Sequence, residues 1–134
     1  MVGVVLVTHA GIARELLAAA VSIVGEVEAM EAVSTDLGEP GDIRERIKAA
    51  VEKADRGEGV LIVTDMFGGT PANLALSLLN ECKVEVVTGV NLPMVLKLAT
   101  GREARPLAEL ATFIRDYGQR NISVASALLQ EPRR

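Results

Sequence analysis

The chain has one histidine, His9, and it stands just past an apolar run, Val2–Val7, followed by Thr8. A second run, Val60–Val63, ends in Thr64-Asp65, and a third, Val84–Val87, ends in Thr88-Gly89. Strands of a parallel sheet end on one edge. If the first and second runs are neighbours, about 4.8 Å apart, His9 and Asp65 sit side by side there. A carboxylate bonded to one ring nitrogen fixes the tautomer and leaves the other nitrogen as a nucleophile. After Asp65 come Met66, Phe67, Gly68, Gly69 and Thr70. The two glycines free the backbone to curl round an anion, Thr70 adds a hydroxyl, and the helix opening there offers free N–H groups. One His, one Asp and an anion cradle suit phosphoryl transfer through a phosphohistidine, with loop amides stabilising the equatorial oxygens. Nε2 is the expected reacting atom, with Nδ1 facing Asp65 or a nearby backbone acceptor. On their own, a lone His is more often structural, a Gly pair more often a turn, and Thr-Pro simply a helix start.

Those residues need a scaffold. Val2–Val7, Val60–Asp65 and Val84–Thr88 are Val-rich runs suited to strands buried on both faces. Glu28–Ser34 is a more polar strand, expected near an edge. Between them, Ile12, Leu16, Ala20 and Ile23 recur at helical spacing from Ala10 to Val24, closed by Gly25. Gly38–Asp42 is turn chemistry. Asp42 and Glu45 resemble a capping box before a helix through Ile43, Ile47, Val51 and Ala54. Thr70-Pro71 starts a helix running to about Glu81, with Thr70 as its cap. Asn91–Pro93 opens a short helix to Ala99, Pro106 opens another to Gly118, and Asn121–Ala125 reads as a last strand. Strands alternating with such helices imply a doubly wound, mostly parallel α/β sheet of five strands. The expected order is 2-1-3-4, with the last strand at an edge, antiparallel or exchanged with a second subunit. The order reverses beside the first strand, where ligands of such sheets bind.

Composition narrows the class. The chain has 134 residues, 49% hydrophobic and 24% charged, which fits one folded domain. Net charge is −4, against general nucleic-acid binding. No apolar run reaches the roughly 18 residues a membrane span needs, and Met1–Gly11 lacks the basic start of a signal peptide. Cys82 is the single cysteine, so no internal disulfide forms, which fits the cytoplasm. One His and one Cys cannot make a structural zinc site, and no cofactor or metal is expected. Met66 and Phe67 are either buried loop anchors or an exposed docking point for a partner. Asn91 either reaches the site or caps a helix.

Asp65–Asn73 (DMFGGTPAN), Thr8–Gly11 (THAG) and Thr88–Met94 (TGVNLPM) together resemble the enzyme IIA component of the mannose-type sugar phosphotransferase system (PTS). The resemblance runs to about Leu128, which implies one domain over residues 1–128 with 129–134 as a tail. It implies a mostly parallel five-stranded sheet and a homodimer able to exchange its last strand. It implies phosphorylation of His9 by the phosphocarrier HPr, then transfer to a IIB component during sugar import. It makes Asp65 the partner of His9 and puts Thr70 at the phosphoryl site. Many relatives carry Trp where Phe67 stands and Ser where Thr70 stands. With 134 residues, a free-standing IIA is expected to find its IIB on another chain, for transport or regulation. A phosphodonor for dihydroxyacetone kinase is a related alternative. A flavodoxin- or receiver-like binding module is disfavoured. Receivers need acids where Thr8-His9 stands, and HAGIA lacks the flavodoxin hydroxyls.

Overall fold

A computed structural model describes residues 1–36, 39–102 and 105–130. Four strands form one parallel sheet: β1 (Gly3–Thr8), β2 (Met30–Ser34), β3 (Val60–Thr64) and β4 (Val84–Thr88), in the order β2-β1-β3-β4. The two central strands are β1 and β3, and every residue of both is buried. That is why they read as unbroken apolar runs, whereas β2 and β4, the edges, carry half-buried positions.

Among the described residues five helices flank the sheet, α1 (Ile12–Val24), α2 (Pro40–Ala54), α3 (Gly69–Leu76), α4 (Leu92–Gly101) and α5 (Leu107–Arg120), and a sixth, α6 (Ala125–Gln130), is exposed throughout. Side chains alternate along each strand. Val4 and Leu6 of β1 join Leu61 and Val63 of β3 in a layer closed by α1, α4 and α5. Val5 and Val7 join Val60 and Ile62 in the opposite layer, closed by α2 and α3. Helices on both faces make the sheet doubly wound. None of the described helices is long and apolar enough to cross a membrane.

Several local expectations are corrected. Among the described residues the sheet has four strands, not five: residues 122–124 carry no regular structure, and α6 follows. Ile122 and Val124 stay 76% and 70% exposed, because nothing within the chain buries an alternating segment there. The core face of α1 keeps Leu16 and Ala20 of the expected set but not its two ends. Ala13 and Ala20 are its buried residues, whereas Ile12 and Ile23 are exposed. The small alanines let the helix lie close to the layer beneath it. α2 begins at Pro40, and no side chain caps it, so Asp42 lies in its first turn and forms no capping box. α3 begins at Gly69, with Gly68 at the cap position. Gly38 and residues 131–134 of the expected tail lie outside the described residues.

Candidate functional site

β1 and β3 deliver His9 and Asp65 to the carboxyl edge, where the strand order reverses. The register pairs Val7 with Thr64, so His9 stands one residue further out than Asp65. The carboxylate closes that offset by reaching back. Asp65 Oδ2 accepts the His9 backbone N–H at 3.1 Å and lies 2.8 Å from His9 Nδ1. Its other oxygen, Oδ1, accepts the Met66 N–H at 3.1 Å. One oxygen therefore holds the main chain and the ring of the same residue. An ionised carboxylate has no hydrogen to give, so the ring bond requires the tautomer with hydrogen on Nδ1. The lone pair then lies on Nε2.

The Asp65 side chain is 14% exposed and that of His9 45%. Burial pushes the Asp65 carboxyl upward. The bonds from the His9 ring and N–H, together with the charge of the ring, outweigh it and hold the carboxyl below its ordinary value.

On the far side of the ring lies the main chain of Gly69. A Cβ placed there would stand 3.2 Å from both His9 Cε1 and Nε2. Gly68 and Gly69 have φ of 85° and 82°, a region that costs any residue with a Cβ. Thr70 is exposed in the first turn of α3, and no side chain caps that helix. Met66 and Phe67 are 53% and 75% exposed, so they are not buried loop anchors. Asn91 is the cap of α4: its Oδ1 accepts the Met94 N–H at 3.1 Å and its Nδ2 donates to the Gly118 carbonyl at 3.1 Å.

Three site neighbours were not legible as such. Buried Thr8 accepts the Ala13 N–H at 2.7 Å through its hydroxyl, tying β1 to the first turn of α1. Ser34 and Thr35, at the end of β2, bond the carbonyls of Ala10 and Thr8. Strand-end Ser and Thr are common, and only the β1–β2 register brings these two to His9.

A doubly wound α/β domain with a histidine–carboxylate pair at its switch point defines the class to which this chain conforms. The family model for the PTS system fructose IIA component matches residues 3–115, and the chain belongs to that family. It is 30% identical over 129 residues to the mannose-specific EIIAB component of the Escherichia coli PTS, covering 94% of this chain and 40% of that relative's length. It is 29% identical over 133 residues to the fructose-specific EIIA component of Bacillus subtilis, covering 98% of this chain and 91% of the relative. The crystal structure of phosphotransferase system component EIIA from Streptococcus agalactiae superposes with a TM-score of 0.86. At 23% identity, over 95% of this chain and 99% of that one, it shows the shared fold.

Proposed function

We propose that the chain carries a phosphoryl group on His9 Nε2, received from phospho-HPr and passed to a IIB component. The single observation that carries this reading is the 2.8 Å approach of Asp65 Oδ2 to Nδ1, which leaves Nε2 free beside Gly69. In the transfer, a bond forms from Nε2 to phosphorus as the donor's N–P bond breaks. The ring keeps its Nδ1 hydrogen and gains positive charge, which the Asp65 carboxylate offsets. The backbone around Gly68 and Gly69, with the Thr70 hydroxyl, meets the phosphoryl oxygens at the mouth of α3. Exposed Met66 and Phe67 dock the partner beside the ring. Passing the group on reverses the same step, so no cofactor or metal takes part. The carrier acts in the cytoplasm, as residues 1–128 of one domain.

The working form is a homodimer that exchanges its last strand. Ile122, Val124, Leu128 and Leu129 are all exposed. The outer edge of β4 is unpaired, and a groove of about 430 Å³ beside it is lined by Val86, Ala108, Ala111 and Thr112 among others. Residues 121–125 of a second copy fit as the missing edge strand.

Incubation with phosphoenolpyruvate, enzyme I and HPr is the test. An acid-labile phosphate on the wild type, absent from His9→Ala, is expected. Equal labelling of both proteins, or none of the wild type, refutes the reading.

A further inference from the structure

His9 is gripped from two sides, and Asp65 accounts for only one. On the other side, β2 ends beside the end of β1, with Ser34 opposite Thr8. The carbonyl before His9 belongs to Thr8 and accepts both the N–H and the hydroxyl of Thr35, each at 3.1 Å. The carbonyl after His9 belongs to Ala10 and accepts the Ser34 hydroxyl at 2.6 Å. The first contact extends the strand ladder. The second is a side chain holding a turn.

That turn is strained. Ala10 has φ of 45°, in the left-handed region, where the Cβ of an L-residue crowds the following carbonyl oxygen. Such a conformation persists only where its surroundings impose it. Within the turn, the other backbone bond is Ile12 N–H to the His9 carbonyl, long at 3.4 Å. Ala10 itself is exposed, so packing does not impose the conformation either. Two hydroxyls bond the turn: that of Thr8 accepts the Ala13 N–H at 2.7 Å and donates to the His9 carbonyl at 3.1 Å, while that of Ser34, at 2.6 Å, is the one that reaches the left-handed residue itself. The direction of this turn sets where the His9 Cα–Cβ bond points, and hence where Nε2 stands against Gly69.

We propose that Ser34 is a positioning residue for phosphoryl transfer at His9, acting through the Ala10 carbonyl to keep the left-handed turn that aims the ring. The proposal rests on the carrier reading above. The same hydroxyl also contacts the Asp36 carboxylate. Ser34 has one hydrogen for two acceptors, so Asp36 competes for it and does not itself hold the turn.

The experiment uses the full chain with phospho-HPr as donor and follows kcat, KM, the ¹⁵N shifts of the His9 ring and the thermal midpoint. A misplacement of a fraction of an ångström costs rate and not partner affinity, so Ser34→Ala lowers kcat about tenfold while KM moves less than about twofold. Its ring shifts move from the Nδ1–H tautomer toward a mixture. Ser34→Cys, a near-isostere with a weak donor, keeps the fold and loses rate in the same direction. Ser34→Thr restores both rate and shifts. Asp36→Ala, which leaves the Ser34 hydrogen to the Ala10 carbonyl alone, keeps kcat at or above the wild-type value. Unchanged kcat and ring shifts in both Ser34→Ala and Ser34→Cys overturn the proposal, as does an Asp36→Ala variant that reproduces the loss. A wild type that takes no phosphoryl group on His9 refutes the carrier reading instead. The ring shifts still decide whether Ser34 positions the imidazole.

Discussion

At the scale of single residues, the account turns on one carboxylate oxygen that binds both the main chain and the ring of His9. Asp65→Asn keeps an oxygen of similar size but removes the charge that fixes the tautomer and offsets the ring. Phosphorylation by phospho-HPr is expected to slow about a hundredfold, measured by rapid-quench labelling. The folded pKa of Asp65 is depressed, so its contribution to stability is fully present above the unfolded value of 3.8 and is lost as pH falls through the lower folded value. Denaturant titrations of wild type and Asp65→Asn should therefore converge in acid and separate above about pH 4. Gly69→Ala meets two penalties, a φ of 82° and a Cβ 3.2 Å from Nε2. A loss of about 1–2 kcal/mol in stability and at least about tenfold in phosphorylation rate is expected, read by denaturation and labelling. Ala10→Gly should gain roughly 1 kcal/mol in a denaturation midpoint, because glycine takes a φ of 45° without the Cβ penalty. His9 and Asp65 were legible because each is a lone polar residue closing a buried strand. Ser34 was not, because a hydroxyl at a strand end signals nothing until the neighbouring strand is known.

At the scale of elements, β1 and β3 were legible as Val-rich runs because they are buried throughout, and β4, a half-buried edge, from its three valines. The face of α1 was legible in the middle, at Leu16 and Ala20, and not at its ends. Ile12 and Ile23 invite a core assignment by hydrophobicity, yet Ala13, which the spacing passed over, is the buried residue at the start of the helix. Packing distance, which the sequence does not state, decides between large and small residues. The helix starts were misplaced by the same kind of omission. Gly68 at φ 85° begins α3 where Thr70 was the better cap by residue type. A close approach elsewhere also depends on geometry alone: a Cβ on Gly3 would stand 2.3 Å from the Ala54 carbonyl oxygen at the end of α2. Backbone cannot yield there as a flexible side chain does. Gly3→Ala is expected to cost about 2–3 kcal/mol, measured by urea denaturation.

At the scale of the whole molecule, right-handed crossovers narrowed the strand orders to a few, the expected 2-1-3-4 among them is the one observed, and it sets His9 at the switch point. The fifth strand was legible as a strand-like pattern in NISVA, but a single chain provides it no neighbour. Its exposed Ile122 and Val124 face outward beside α6. If a second copy supplies the missing edge, sedimentation of the wild type gives a dimer, and Ile122→Asp with Val124→Asp gives a monomer that still accepts a phosphoryl group slowly. A wild-type monomer at micromolar concentration would contradict the exchange while leaving the His9 chemistry intact. That chemistry is tested most directly by ³¹P–¹⁵N NMR of the chain after incubation with phosphoenolpyruvate, enzyme I and HPr. The predicted result is one phosphorus coupled to Nε2 of His9, with hydrogen retained on Nδ1. Phosphorus on Nδ1, or on any residue other than His9, would contradict it.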